Sequence, residues 1–371
     1  MQPMIFKTLL LGALFAGAAT NAQAGGFARG TADTEILFEE GNFNMRSGVT
    51  FVRPSQKYSK NANPDLVGTD PYETYVIPSF AVKLKLTDMV SCAGTYTQPY
   101  GGSKKYAAPT YDGKLAEKFH IDEFGATCAV KFNAGKGNFY LIGGGFVEQL
   151  DYERQDFGGL NLTLGGQDIG YRLGVAYDIP DIAFRAELKY RSATSYGADG
   201  TLTVPGELLG LPVPSLDFPA KGSGNLPQNI EFDLQSGIAP GWLAFSSVQW
   251  TDWSVTKSLI VTSDAGGTTD QYNWRDGWTI TGGIAHEFTK DLAGSVSVTW
   301  DQGVATGWDT TGESWTLALG GSWKDKIGGE LRGGVGISYL PAVEENKYGP
   351  FNAAFDAGYA VAFNLGYAVK W

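Results

Sequence analysis

The chain has 371 residues, 43% of them hydrophobic and 13% aromatic, with a formal net charge of −11. That acidity excludes a nucleic-acid partner, which needs a basic face. Two histidines and two cysteines are too few for an ordinary metal centre, and no cofactor is expected.

Residues 1–24, MQPMIFKTLLLGALFAGAATNAQA, read as an export signal. Lys7 precedes an apolar run, and Ala22-Gln23-Ala24 supplies a small-x-small cleavage site. Cleavage after Ala24 leaves residues 25–371 with a net charge of −12, one below −11 because Lys7 departs. Beyond the signal no run of about 18 apolar residues remains, so helical membrane spans are excluded.

Residues 25–45, GGFARGTADTEILFEEGNFNM, fit neither a strand nor an ordinary tail. They carry an apolar knot, Ile36, Leu37 and Phe38, beside Glu39 and Glu40. A free tail has no use for such a knot, whereas a plug folded into a lumen packs on it.

From residue 46 onward, period-two alternation predicts strand after strand. The expected strands are 46–57, 73–86, 88–98, 117–133, 137–150, 166–178, 182–203, 226–238, 241–260, 271–288, 291–303, 312–324, 327–340 and 356–371. Their connections alternate between short turns such as DIPD (178–181) and APG (239–241) and long segments such as 58–72, 99–116, 151–165, 204–225 and 261–270. A sandwich has no reason to sort its connections this way. A transmembrane barrel does, with short turns at one end and long loops at the other. The fold class predicted is all-β, a 14-stranded antiparallel transmembrane β-barrel over 46–371 with residues 25–45 as its hatch.

The faces agree. Trp315 and Trp323 stand eight residues apart with Leu317 and Leu319 between them, while Thr316, Ala318, Gly320 and Ser322 alternate on the other side. Trp242 and Trp250 repeat the spacing, and Trp278, Ile280 and Ile284 share a face. Eight residues span roughly 26 Å, which at barrel tilt matches the distance between two aromatic girdles. The last strand, VAFNLGYAVKW, alternates Val361, Phe363, Leu365, Tyr367, Val369 and Trp371, as a strand that closes a barrel against the first one would.

Cys92 and Cys128 fall on neighbouring predicted strands of an exported chain, so a disulfide between them is expected. An enzyme is not. A hydrolase needs a nucleophile beside a base, yet His120 and His286 have no Ser two residues away and no GxSxG elbow exists. Arg191 in KYRSAT and Arg275 in NWRDG are the candidates to meet a carboxylate ligand. The apolar loop 204–225, with Leu208, Leu209, Leu211, Val213, Leu216 and Phe218, is either a binding surface or a packed lid.

In GGFARGTADTEILFEEGN running into GVTFVRP, in KYRSATSYGADGTLTV, in LPQNIEFDLQSGIAPGWLAFSSVQWTDWSVTKSLIV and in NWRDGWTITGGIAHEF, the chain resembles the FadL family. These are outer-membrane transporters of long-chain fatty acids and related hydrophobic compounds. The family's hatch Asn-Pro-Ala is missing, with GNFNMR (41–46) in its stead. The resemblance implies a plugged barrel through which the cargo, a long-chain fatty acid or aromatic hydrocarbon, diffuses passively. Outer loops including 204–225 would capture the cargo, and Phe27, Ile36, Leu37 and Phe38 would meet it inside. It would leave sideways into outer-membrane lipid beside a kinked third strand, here 89–99 with Gly94 and Pro99. The resemblance further implies assembly by the barrel-assembly machinery, which reads the last strand, and a monomer. A diffusive porin for small polar solutes is the alternative function.

Overall fold

The computed structural model describes residues 25–371; the export-signal reading of 1–24 lies outside them. The strands of the large sheet are, in chain order, β1 (Phe43–Ser55), β2 (Tyr75–Lys85), β3 (Val90–Lys105), β4 (Lys114–Ala134), β5 (Gly137–Asp156) and β6 (Leu160–Ile179). They continue with β7 (Phe184–Arg191), β8 (Thr194–Pro205), β9 (Ser215–Leu226), β10 (Asn229–Ala239), β11 (Trp242–Thr251) and β12 (Ser258–Ser263). The remainder are β13 (Gly266–Gln271), β14 (Gly277–Thr289), β15 (Leu292–Asp301), β16 (Ser314–Lys324), β17 (Gly329–Leu340) and β18 (Gly358–Lys370).

Fourteen of these close an antiparallel barrel in the order β1 to β7, β10, β11, then β14 to β18. The ring shuts where β18 pairs with β1 from Asn44↔Lys370 to Ser55↔Tyr359. The Trp371 N–H donates to the Phe43 carbonyl at 2.9 Å, so the alternating last strand is held along its length. Closure joins the last strand to the first, the condition for crossing lipid with strands.

Side chains sort by the period-two rule. Trp278, Trp315, Leu317, Leu319, Trp323, Val361, Phe363 and Leu365 face outward and are exposed, as a lipid-facing band requires. Thr316, Ala318, Ser322, Ala360, Ala362 and Asn364 face inward and are buried. Small inward residues leave a lumen wide enough to be filled by other parts of the chain.

The long-connection end differs from expectation. The expected strand 182–203 breaks at Ser192-Ala193 into β7 and β8, and 241–260 ends at Thr251 before a 3-10 turn over Trp253–Val255. The expected loops 204–225 and 261–270 are largely the hairpins of β8–β9 and β12–β13, and β5 and β6 run through most of 151–165. These strands form an extension of the wall: β8 pairs with the start of β6, then β9, β12 and β13 follow. The cause is apolar alternation that continues past the lipid band. Leu162, Leu164, Ala198, Ala220 and Val261 bury one another there, with Leu150, Leu202 and Leu259 packed against them, which an irregular loop does not achieve.

Candidate functional site

Residues 25–42 enter the lumen and are enclosed by inward-facing side chains. At one end, Gly25 and Gly26 take positive φ angles, and a β-carbon on Gly26 would lie 2.7 Å from the Trp253 ring. Phe27 is then inserted among Phe119, Tyr272 and Trp274, with ring centroids 4.7, 5.3 and 4.7 Å away. Tyr100, Ile121, Tyr196, Leu226, Trp253 and Val304 complete this apolar cluster.

At the other end, a 3-10 turn over Thr34–Phe38 buries Ile36 and Leu37 against Ala81, Ala93, Ala129, Tyr140, Ile142 and Ala176. Alanines on four facing strands make room for the knot, and Phe38 packs edge-on against Tyr140 at 5.0 Å. The predicted inner contacts are therefore two separate groups, Phe27 in one and Ile36, Leu37 and Phe38 in the other.

Between the groups, charge ties the segment to the wall. Arg46 of β1 meets Asp33 at 2.8 Å and also Glu39. Glu35 pairs with Arg185 of β7 and lies 3.5 Å from Lys189, which also reaches Glu231 at 3.2 Å and Asp233 at 2.8 Å on β10. A second network links Arg172 and Arg191 to Glu123 and Glu148, with Thr194 and Tyr196 donating to Glu148 at 2.8 and 2.6 Å. Such pairs hold because each buried charge has its partner, and losing one partner is costly.

The wall has one irregularity beside this segment. β2 and β3 pair only from Ser79↔Thr97 to Lys85↔Ser91. Further along β3, its pairing with β4 shifts register between Thr97 and Tyr100. There the Pro99 and Gln98 carbonyls accept instead from the N–H groups of Arg29 and Gly30, at 2.8 and 2.9 Å. Beyond the break the ladder resumes, with a Tyr72↔Lys104 bridge and Lys105 N–H donating to the Pro71 carbonyl at 2.8 Å. Tyr75–Pro78 thus face Gln98–Gly101 across an unpaired window, about 13 Å long at strand rise, backed from inside by residues 27–30. Pro78 and Pro99 stand on its two sides, and proline brings no N–H to a ladder.

These contacts correct several expectations. Gly94 pairs regularly with Val82 and Ala126 and does not weaken the sheet; the break is at Thr97–Tyr100, beside Pro99. Arg275 is outside the lumen networks, its Nη2 donating to the Gln302 carbonyl at 3.2 Å, and Arg191 is occupied by two glutamates. Leu208, Leu209, Leu211 and Val213 sit exposed at the tip of the β8–β9 hairpin, away from the lumen. Leu216 and Phe218 are half-buried on the face of β9 that also carries Ala220. Cys92 and Cys128 are directly opposed on β3 and β4 and joined in a disulfide.

Several cavities follow the segment. A cavity of about 80 Å³ is walled by Phe27, Phe119, Leu150, Leu164, Tyr196 and Leu259. One of about 240 Å³ opens toward the long-connection end beside Tyr72, Tyr75, Lys104 and Tyr272. Another of about 240 Å³ lies between the segment and the wall, lined by Asp33, Arg46, Ile77, Gln235, Phe245 and Thr281. Mixed walls of this kind take a ligand with an apolar body and few polar groups. Nothing local in the sequence marks Arg29 and Gly30 as neighbours of the break, whereas charges at inward positions of the expected strands were a readable sign of the lumen ion pairs.

A model of the outer membrane protein transport protein family (OMPP1/FadL/TodX) matches residues 160–311. Long-chain fatty acid transport proteins of Salmonella typhi and Escherichia coli (strain K12) are 27% identical over 143 residues, 32% of this chain and 32% of each relative. The match thus spans about a third of the length of these curated relatives. Among solved structures, a Pseudomonas aeruginosa FadL homologue aligns over 96% of this chain and 97% of its own, with TM-score 0.71 and 15% identity. The Pseudomonas putida toluene transporter TodX aligns over 95% and 98%, with TM-score 0.65 and 14% identity.

Proposed function

We propose that this chain is a FadL-type outer-membrane barrel that takes up long-chain fatty acids or other hydrophobic compounds by passive diffusion, a reading supported by the family match over residues 160–311 and by the shared fold. Residues 25–42 act as the plug. Cargo enters at the long-connection end, meets the apolar walls around Phe27, and passes sideways into the bilayer through the window between Tyr75–Pro78 and Gln98–Gly101.

The observation that carries this reading is the window itself. A break in the β2–β3 ladder backed only by a short segment is a weak point in an otherwise paired wall. For a water-borne solute, a sideways exit leads into hydrocarbon and is useless. For a lipophile it is downhill, at about 25 cal/mol per Å² of apolar surface removed from water. An open polar pore is disfavoured by the ion pairs that bind residues 33–39 across the lumen.

The test is uptake of labelled oleate and labelled toluene by cells lacking the protein and by complemented cells, with sugar permeation measured in liposomes. Restored uptake of either lipophile with sugars excluded supports the plugged transporter. Free passage of sugars with no lipophile dependence on the protein makes it a porin.

A further inference from the structure

Glu187 of β7 stands in the lumen wall as a buried carboxylate without a donor. It is 1% exposed, and neither of its oxygens accepts a hydrogen bond among the described residues. Asp233 of β10 lies directly opposite it across the ladder of β7 and β10. Like charges so placed repel and weaken a sheet. Glu35 of the lumen segment joins the same pair: one oxygen from each of the three carboxylates lies within 4.8 Å of the others.

The neighbouring cations do not balance this group. Arg185 pairs with Glu35, and Lys189 lies 3.5, 3.2 and 2.8 Å from Glu35, Glu231 and Asp233. Four carboxylates, Glu35, Glu187, Glu231 and Asp233, thus face two cations, Arg185 and Lys189, an excess of two negative charges. Arg46 is matched by Asp33 and Glu39, and Arg172 and Arg191 are taken by Glu123 and Glu148. Arg29 rests on the Tyr75 ring. A buried carboxylate left uncompensated is costly. A proton shared between two of them quiets one pair and leaves the third.

A divalent cation answers both the charge and the geometry. Oxygens on opposite sides of a Ca²⁺ at about 2.4 Å are about 4.8 Å apart, so this spacing suits one shared ion. Carboxylate oxygens, with no Cys or His among them, select a hard cation over zinc or copper. Water reaches the remaining coordination positions from the cavity of about 240 Å³ that Glu35 and Asp233 border, and from one of about 110 Å³ that Glu187 borders.

We propose that Glu35, Glu187 and Asp233 bind a hard divalent cation, Ca²⁺ or Mg²⁺, that clamps the lumen segment to β7 and β10. Glu187 and Asp233 hold the ion on the wall, and Glu35 ties the segment to it. The wall's grip on residues 33–39 then depends on cation concentration, whatever the cargo.

The experiment uses the purified barrel in detergent, free of lipopolysaccharide and stripped of metal with EDTA. Equilibrium dialysis against CaCl₂ and, separately, MgCl₂ counts bound ions for the wild type, Glu187→Gln, Asp233→Asn and Asp151→Asn. The last controls for the group His120, Asp122 and Asp151, whose ligand atoms also lie within 4.8 Å of one another. Hydrogen exchange is followed with and without the ion. Glu187→Gln and Asp233→Asn should each weaken one bound ion roughly tenfold or more, and Asp151→Asn should keep it. The ion should slow exchange over residues 33–39 in the wild type and have no effect there in Glu187→Gln. Unchanged exchange over β16 to β18 certifies that the variants are folded. The salt bound more tightly names the ion. The assignment is overturned if the wild type binds neither ion, if binding is lost only in Asp151→Asn, or if binding leaves exchange over 33–39 unchanged. Protection there that follows pH and ignores both salts also overturns it, as the mark of a shared proton.

Discussion

Gly30 sits so close to Ile77 that a β-carbon built on it would lie 2.8 Å from Ile77 Cγ2, and 2.5 Å from Thr97 Oγ1. Only a residue without a side chain lets the lumen segment lie flush against the gap between β2 and β3. Gly30→Val is expected to push the segment off the wall, costing about 1–3 kcal/mol as overpacking does. Urea unfolding in detergent measures the cost. Liposomes carrying the variant should also leak sugars that the wild type retains.

Arg46 is the wall's grip on the other end of the segment, through Asp33 and Glu39. Arg46→Ala leaves two lumen carboxylates short of a partner and should destabilise by about 3–5 kcal/mol. Hydrogen exchange should speed up selectively over residues 33–42, because the barrel ladder does not depend on this pair. Uniform acceleration over all strands would instead mean that the segment holds the barrel together.

The disulfide joins residues 36 apart and ties β3 to β4. Closing a loop of that length removes unfolded-chain freedom, so replacing Cys92 and Cys128 with Ser should cost roughly 2–4 kcal/mol. The pair staples β3 on the side away from the window, so fatty-acid uptake by the folded variant should be unchanged.

Glu345 lies in the connection between β17 and β18, where its carboxylate accepts from the Ala353 N–H at 3.3 Å. Burial pushes its pKa up to about 7, against the attraction of Lys104 and with repulsion from Asp309 adding to it. An ordinary Glu titrates near 4.3. Between about pH 4.3 and 7 the folded connection holds more protons than the unfolded one, so its stability falls as pH rises through that window. Protection of residues 343–355 against hydrogen exchange, corrected for the intrinsic rate, should be greater at pH 5 than at pH 8. Glu345→Gln should flatten the difference.

The barrel was legible because lipid and lumen impose opposite demands on alternate residues. Trp315, Leu317, Leu319 and Trp323 on one face against Thr316, Ala318 and Ser322 on the other fixed the period without any knowledge of partners. The same rule ran 182–203 as one strand and left 204–225 as a loop, whereas the chain leaves the barrel at Ser192 and extends the same sheet with β8 and β9. Period two tells that a strand exists and is silent on what it pairs with. The apolar knot at Ile36 to Phe38 signalled burial, whereas Arg29 carried no local mark. Its place at the break exists only because β3 changes partners at Gln98, and that register is set by contacts remote in sequence.

The most direct test of the sideways route is to lock the window. Cys92 and Cys128 are replaced by Ser, and Ile77 and Pro99, which face each other one step beyond Pro78 and Gln98, by Cys. Labelled oleate uptake is then measured in cells with the new pair oxidised, as verified by peptide mapping, and again after reduction. Uptake is expected to fall at least tenfold in the oxidised state and to return on reduction. Equal uptake in both states would mean that cargo travels through the lumen, past residues 25–42, and that the window is not the exit.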